Sequence, residues 1–275
     1  MRLFYLTFLL LYLHFSWAQE LFVWSEPASN MAAKSLGIRL NNEILPPYIN
    51  KAKGVNNTQY MYRLSPEFMI GISKKWMLHS MLFFSNIHQP NFKFEGAGLY
   101  LKYRFLSYDK VHSHFRVAAY AKASVINNAI QYHEINLNGD NSGFGGGLVA
   151  TQLIHKLAIS FTGGYTYCIS NIHYSLLRTQ PNDALNYSLS FGLLTLPYVY
   201  KNYNQPNLNI YIEFLGKYNP LTAEQYIDFA PALQFIIKSK MRLDIAYRRQ
   251  LTGNMLRMNN QEVIVKFEYN IFNAY

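Results

Sequence analysis

The sequence predicts an all-β protein: a single antiparallel up-and-down transmembrane β-barrel of about 12 strands (range about 10–14) after an N-terminal signal peptide. Three observations lead to this prediction. Apolar and polar residues alternate along about a dozen segments, which is the period of a strand with two different faces. Most segments are longer than the roughly five or six residues usual for strands. Long and short connections alternate between them.

The first 18 residues, "MRLFYLTFLLLYLHFSWA", have the pattern of a cleaved export signal. Arg2 supplies the positive start, Leu3 to Phe15 form the apolar centre, and Ser16-Trp17-Ala18 is a small-x-small cleavage site. An uncleaved membrane anchor is the alternative, but the apolar centre is short for a span. We therefore predict export out of the cytoplasm, with Gln19 as the first mature residue.

The predicted organisation has three parts: a signal peptide at 1–18, a periplasmic N-terminal segment or small plug at 19–31, and the barrel at 32–275. Pro27 argues against a central strand in the middle part, because proline cannot donate to a sheet ladder. That segment either tucks into the barrel mouth or forms a disordered tail.

The composition excludes two classes of protein. A net charge of +10 would suggest nucleic acid for a cytoplasmic protein, but the export signal removes that partner. A single cysteine, Cys168, excludes an intramolecular disulfide framework. The mature chain has no apolar run long enough for a transmembrane helix. No cofactor is implied by any motif.

The alternating segments predict the strands in order. High Tyr and Phe content favours strands over helices throughout. The predicted strands are 33–42, 59–73, 75–86, 92–106, 112–127, 143–154, 156–171, 185–198, 207–217, 226–238, 240–251 and 261–272.

The connections between these strands alternate in length, as in up-and-down barrels of outer membranes. Both chain ends are then expected on the short-turn side. The long connections are 43–58, 87–91, 128–142, 172–184, 218–225 and 252–260, and the short ones lie around Lys74, 107–111, His155, 199–206 and Ser239.

The segment "MRLDIAYRRQ", residues 241–250, shows why a membrane is favoured over a soluble sandwich. One face carries Met241, Leu243, Ile245 and Tyr247, and the other carries Arg242, Asp244, Ala246 and Arg248. A sandwich would also alternate, burying its apolar face. Strand length, small residues on the polar faces and aromatic residues near strand ends instead predict lipid outside and charges inside.

The same parity predicts which charged residues line the lumen. Positive side chains outnumber negative ones, which would favour anionic solutes if a water path exists. The alternative is a self-paired network bracing a closed barrel, because buried charges demand partners. The predicted lumen-lining residues are Arg39, Arg63, Lys102, Arg104, Arg116, Lys122, Lys217, Arg242, Arg248 and Lys266 on the positive side, and Glu67, Glu213, Asp228, Asp244 and Glu268 on the negative side.

A soft-metal site is a second hypothesis for the lumen. In "KWMLHSMLFF", Met77, His79 and Met81 share the predicted lumen face, and Met69 has the same parity in the preceding strand. Thioethers and one imidazole suit Cu(I) or Ag(I). The alternative is that methionines fill irregular gaps in a packed lumen. A register slip of one residue would turn these side chains towards lipid.

The signal segment, the alternating strands and the ending "FEYNIFNAY" resemble Gram-negative outer-membrane β-barrel proteins. Such proteins usually finish with an aromatic residue that the barrel-assembly machinery reads, and Phe272 and Tyr275 fit this pattern. The segment "EPASNMAAKSLGIRLNN" is similar to uncharacterised barrels described as transporters. The resemblance covers nearly the whole chain, but its motifs are generic and imply no specific site residue.

These observations predict a porin-like channel or transporter in the cell outer membrane, passing small anionic solutes through a basic lumen. One alternative is a closed structural or partner-binding barrel that acts through its long extracellular loops. Another is a barrel that handles a soft metal. An enzyme is not expected and no catalytic residue is assigned, because the His-x-Ser and Asn-Gly-Arg pattern of twelve-stranded outer-membrane phospholipases is not present. The expected partners are membrane lipid, small solutes and the assembly machinery.

Overall fold

The computed structural model describes residues 22–198 and 205–275, which include fourteen β-strands. Twelve of these form one closed antiparallel barrel, which confirms the predicted fold class. No helix among the described residues is long and apolar enough to cross a membrane. The strands are β1 (Ser35–Leu45), β2 (Tyr48–Asn50), β3 (Val55–Asn57), β4 (Met61–Gly71), β5 (Trp76–Ser85), β6 (Lys93–Asp109), β7 (Ser113–Ile126), β8 (Ser142–Ile154), β9 (Leu157–Ile169), β10 (Asp183–Leu196), β11 (Asn207–Asn219), β12 (Glu224–Ile237), β13 (Met241–Gly253) and β14 (Gln261–Ile271).

The barrel closes because the first strand pairs with the last. β1 lies between β14 and β4, and every other barrel strand pairs with its neighbours along the chain. At the closure Arg39 stands opposite Glu268 on one side and Glu67 on the other. Closure leaves no sheet edge with unpaired backbone groups, which is what a strand-built membrane protein requires.

The predicted strands and the observed ones coincide closely, with differences at their ends. β6 continues to Asp109, beyond the predicted end at 106, because it stays paired with β7 as far as His114. The predicted signal peptide at 1–18 and most of the predicted turn at 199–206 lie outside the described residues. The start of β1 and the C-terminal residues meet at the short-turn rim, where the Ala274 amide donates to the Lys34 carbonyl at 2.8 Å.

One long connection contains a small hairpin that the sequence pattern did not predict. Between β1 and β4, strands β2 and β3 form a separate two-stranded sheet, joined by a single 3-10 turn at Lys51–Lys53. Gly54 follows that turn with a φ of 69°, a left-handed conformation that glycine adopts without steric cost.

The two faces of the barrel differ as the alternation predicts. In β13, Ile245 is 44% exposed on the outer face, whereas Asp244 is fully buried on the inner face. Large apolar side chains also stand on the outer faces of the other strands, for example Leu99, Leu148 and Phe161. The outside is therefore an apolar belt of the kind that contacts lipid.

Two glycines make room for the side chain of Tyr120 against the inner face of the barrel wall. A Cβ at Gly164 would lie 2.2 Å from the Tyr120 hydroxyl, and one at Gly147 would lie 2.9 Å from the same atom. Gly147 of β8 and Gly164 of β9 thus make room for an aromatic ring inside the barrel. Glycine within a strand often marks such a close approach.

The belt predicts a difference between two matched substitutions. Phe161, in the middle of β9, and Phe92, in the connection before β6, are both exposed phenylalanines. We expect Phe161→Arg to destabilise the barrel in phospholipid vesicles by about 2–4 kcal/mol, because it places a cation in the hydrocarbon. Urea unfolding followed by tryptophan fluorescence measures this. Phe92→Arg is the control and should change little; equal effects at both positions would contradict the assigned belt.

Candidate functional site

The candidate site is the interior of the barrel, where most of the predicted charged residues lie. Arg104 is the exception: it donates to the Lys74 carbonyl at 2.8 Å, at the short-turn rim. The fully buried residues of the predicted set are Arg39, Arg63, Glu67, Lys102, Glu213, Lys217, Asp228, Arg242, Asp244 and Glu268, and the partly buried ones are Arg116, Lys122, Arg248 and Lys266.

Residues 22–31, here called the inner segment, lie inside the barrel at its short-turn half. Glu213 holds the start of this segment. Its carboxylate accepts the backbone amides of Val23 at 2.8 Å, Trp24 at 3.0 Å and Ser25 at 2.9 Å, as well as the Ser25 hydroxyl at 2.6 Å. Glu213 is 0% exposed, so these bonds replace all of its hydration.

The remainder of the inner segment crosses the lumen and contacts β8, β7, β6 and β5. The Pro27 carbonyl accepts a bond from Lys102 Nζ at 2.8 Å, and the Ala28 amide donates to Thr151 Oγ1 at 2.9 Å. Arg116 donates to the Ser29 hydroxyl at 2.9 Å. Several lumen charges are therefore bonded to the segment itself.

A network of buried ion pairs lies where the barrel closes. Arg39 contacts Glu268 at 2.8 Å, Glu67 at 3.1 Å and Glu26 of the inner segment at 3.1 Å. Arg242 contacts Glu268 at 2.9 Å. These pairs join β1, β4, β13 and β14, so they offset the cost of burying charge across the closing strands.

At the opposite end, residues 127–141, here called the inner loop, fold back into the barrel. Glu134 of this loop contacts Arg257 at 2.8 Å, and Arg257 contacts Asp228 at 2.8 Å. Lys217 Nζ donates to the Ile135 carbonyl, and Arg63 pairs with Asp140. The long-loop end of the lumen is therefore covered by a cross-linked loop.

The electrostatics of Glu134 keep the inner loop paired over a wide pH range. Burial would raise the pKa of its carboxyl, but Arg257, Lys217 and Arg248 outweigh burial and hold that pKa below its ordinary value. A depressed carboxyl pKa stabilises the folded state fully above the unfolded value of about 4.3, and the contribution is lost only as pH falls below it.

Between the inner segment and the inner loop lies a chamber of about 320 Å³. Its lining includes Trp24 and Glu26 of the inner segment, together with Lys122, Lys217 and Lys266 of the wall. A smaller cavity of about 140 Å³ adjoins it beneath the loops, with Glu43, Glu134, Arg248 and Arg257 among its lining residues. A space of this size accommodates a small solute with some water.

The basic residues of the chamber fall into two groups. The arginines are paired with carboxylates, as described for Arg39. Lys122 instead donates to the Asn138 side-chain oxygen, and Lys266 donates to the Val23 carbonyl. Lys217, bonded to a carbonyl, has its nearest carboxylate oxygen, on Glu134, at 4.0 Å. Neutral oxygens thus serve as the direct partners of three ammonium groups.

Among the described residues, sequence parity missed at least seven charged residues of the interior, and the reasons differ. Glu95 has the parity of a lipid-facing residue, but a β-bulge shifts the register of β6 against β5 beside it and turns it inward. Glu43 lies beyond the predicted end of the first strand. Glu262 has inward parity at the start of β14, so parity could have found it. Loops and the inner segment, which have no parity, carry the remaining four: Glu26, Glu134, Asp140 and Arg257. These additions bring the interior of the described chain close to charge balance.

The methionine and histidine residues predicted as a metal site lie together on the inner wall. Met69, Met77, His79 and Met81 are all buried, and the His79 Nδ1 atom lies 2.5 Å from Glu67 Oε1. Within the described residues no group of three or more His, Cys, Asp or Glu side chains has an arrangement suited to a metal. Two other histidines, His112 and His114, lie at the short turn between β6 and β7, where His114 Nδ1 lies 2.7 Å from Asp109 Oδ1.

Comparison with known proteins supports the fold. An outer membrane channel from Pseudomonas putida F1 is similar with a TM-score of 0.56 and 13% identity, over 91% of this chain and 100% of that one. The KdgM porin is similar with a TM-score of 0.48 and 8% identity, over 85% of this chain and 98% of that one. No family model and no curated protein matches the sequence. At 13% identity the likeness to the Pseudomonas putida channel extends to the fold alone, and it supports the resemblance to outer-membrane barrels at that level.

The ion pairs of the inner loop predict its sensitivity to one substitution. Arg257→Leu leaves Glu134 and Asp228 each without one of their buried partners, which costs about 3–5 kcal/mol when a buried pair is broken. We expect the inner loop to release, and chymotrypsin to cut at Tyr132 in the folded barrel. Arg178→Leu, at an exposed position of the next long connection, is the control. Equal resistance in wild type, variant and control would contradict the assigned role of Arg257.

Proposed function

We propose that this protein is an outer-membrane channel for small anionic solutes, closed at rest by the inner segment and the inner loop. The main support for this proposal is the chamber between these two elements. It is lined by three lysines that donate hydrogen bonds to neutral oxygens. The proposal assigns no catalytic residue. It includes cleavage of residues 1–18, so that residues 19–31 become the periplasmic end of the mature chain.

The membrane location rests on physical grounds. A closed sheet with an apolar outer belt and buried charges inside has the opposite distribution from that of a water-soluble barrel. The export signal and the aromatic C-terminal residues fit delivery to the barrel-assembly machinery of an outer membrane. Lipid is then the partner of the outer face.

Anion preference follows from the way the chamber lysines are bonded. An entering carboxylate or phosphate can replace the Asn138 amide oxygen or the Val23 carbonyl as an acceptor for these ammonium groups. The replacement strengthens the hydrogen bond, because charge-assisted bonds are roughly twice as strong as neutral ones. The paired arginines offer no such exchange without breaking an ion pair. Selectivity would therefore lie in Lys122, Lys217 and Lys266, not in the overall charge.

The first test is conductance of the refolded protein in planar bilayers under a potassium chloride gradient. We expect discrete steps of current. The reversal potential should be shifted towards the equilibrium potential of chloride. The triple substitution Lys122→Gln, Lys217→Gln, Lys266→Gln should lower the chloride-to-potassium permeability ratio at least about twofold, because it removes the positive potential that concentrates anions. The triple substitution Lys51→Gln, Lys110→Gln, Lys238→Gln, at three exposed positions, removes the same net charge and is the control; it should leave the ratio unaltered.

A closed barrel that acts through its extracellular loops is the second candidate. The observation that favours it is the paired interior, in which Arg39, Arg63, Arg242 and Arg257 all contact carboxylates. The bilayer experiment distinguishes the two candidates. Silence in every salt, in the wild type and in a variant with a weakened inner segment, would exclude the channel and leave the closed barrel.

The variant with a weakened inner segment is Glu213→Gln, and it supplies a separate prediction. Glu213→Gln removes the charge that accepts three backbone amides of the inner segment, and lost buried hydrogen bonds cost about 1–3 kcal/mol each. We expect roughly tenfold more open time, because each 1.4 kcal/mol corresponds to about a factor of ten. Asp183→Asn is the control, since its carboxylate accepts the hydroxyl of Tyr165 on the outer face of the barrel. Unchanged gating in Glu213→Gln would refute the closing role of the segment.

A further inference from the structure

The inner wall contains a buried imidazole nitrogen that the fold does not use. His79 is 1% exposed on the inner face of β5, and among the described residues its Nε2 atom has no hydrogen-bond partner. A buried polar atom without a partner costs free energy, so it is uncommon in a folded protein and calls for an explanation.

The other ring nitrogen sets the chemical state of this atom. His79 Nδ1 lies 2.5 Å from Glu67 Oε1, and the second oxygen of Glu67 accepts bonds from Arg39 and Asn41. A carboxylate in this position acts as acceptor, so Nδ1 donates its proton to it. In the neutral ring Nε2 then carries a lone pair that no described residue uses. A histidine that donates to a carboxylate through one nitrogen is oriented as metal-ligating histidines usually are.

Methionines surround this histidine on the same wall. Met69 stands directly opposite His79 on β4, while Met77 and Met81 flank it two residues away on the same face of β5. Directly opposed residues have Cβ atoms about 4.5–5.5 Å apart, which is within reach of long side chains. All three methionines and Tyr100, whose ring centroid lies 5.2 Å from that of His79, belong to one buried cluster.

The inner segment adds a fourth methionine that the sequence pattern did not indicate. The Met31 amide lies 3.4 Å from the sulfur of Met77. A Cβ at Gly37 would lie 2.6 Å from the Met69 methyl and 3.0 Å from the Met31 methyl, so these two thioether ends meet over the same glycine. The cluster therefore joins the barrel wall to the inner segment.

We infer that Met31, Met69, Met77, Met81 and His79 form a binding site for a soft monovalent cation, Cu(I) or Ag(I). Thioether sulfur and imidazole nitrogen are the ligands that such ions prefer, whereas calcium and magnesium require oxygen. His79 and Met81 also line the central chamber, which gives an ion a route to the site.

Methionines also serve as gap fillers in packed interiors, and that role would account for Met69 and Met77 alone. It does not account for the His79 nitrogen. A packed apolar cluster would be more stable with a side chain that leaves no polar atom unpaired. The conjunction of an oriented imidazole and four thioethers is what distinguishes a ligand site from packing.

The test is titration of the refolded protein with silver nitrate in chloride-free buffer, followed by isothermal calorimetry. Silver is used because it needs no reductant. All proteins carry Cys168→Ala, since the one thiol of the chain would compete for silver. We expect one tight site per chain. Met69→Leu/Met77→Leu, which conserves volume, should weaken silver binding at least tenfold, and His79→Leu should do so independently.

Two matched controls and one spectroscopic readout complete the experiment. The controls are Met241→Leu, on the outer face of β13, and His173→Gln, at an exposed position in the connection after β9. Both should bind silver as the parent does. X-ray absorption at the silver edge should show sulfur neighbours and one nitrogen. Unaltered affinity in the folded Met69→Leu/Met77→Leu barrel, or a spectrum without sulfur, would overturn the site. Conductance plays no part in this readout, so the result is independent of the proposed channel.

Discussion

The structure depends on one constraint: in a lipid bilayer every backbone amide and carbonyl must find its partner within the protein. Twelve antiparallel strands meet this constraint only when β1 pairs with β14. Closure places alternate side chains on a wall that faces inward, and the charges on that wall are then removed from bulk water. The filling of the interior is the consequence, because buried charges without partners would cost more than the fold can offset.

Two pieces of chain provide that filling from opposite ends. The inner segment brings backbone amides to Glu213 and carbonyls to Lys102 and Lys266. The inner loop brings Glu134 to Arg257. Each is held by polar contacts and also by apolar packing, since Val23 and Ile135 belong to buried apolar clusters of the wall. In the channel that we propose, these contacts would have to break for the lumen to open.

The chamber that remains between these pieces combines two chemistries. Three lysines bonded to neutral oxygens offer positive charge to an anion, whereas a wall of methionines around His79 offers soft ligands. Both sites include residues of the inner segment, since Val23 bonds Lys266 and Met31 contacts Met77. If the two proposals hold, occupancy of the chamber and position of the inner segment are coupled, because one element belongs to both sites.

The sequence by itself determined the class of fold, the positions of the strands and the inward face of most charged residues, as the agreement for Arg242 and Asp244 in β13 illustrates. It could do so because the two-residue period is local. Only the tertiary structure decided which charges are neutralised. Glu213 and the amides that it binds are separated by 188 to 190 residues, and Glu134 and Arg257 by 123. Glu95 turns inward at a bulge that no alternation encodes. Such pairings arise from register, barrel closure and loop path, which are properties of the whole sheet and not of any single strand.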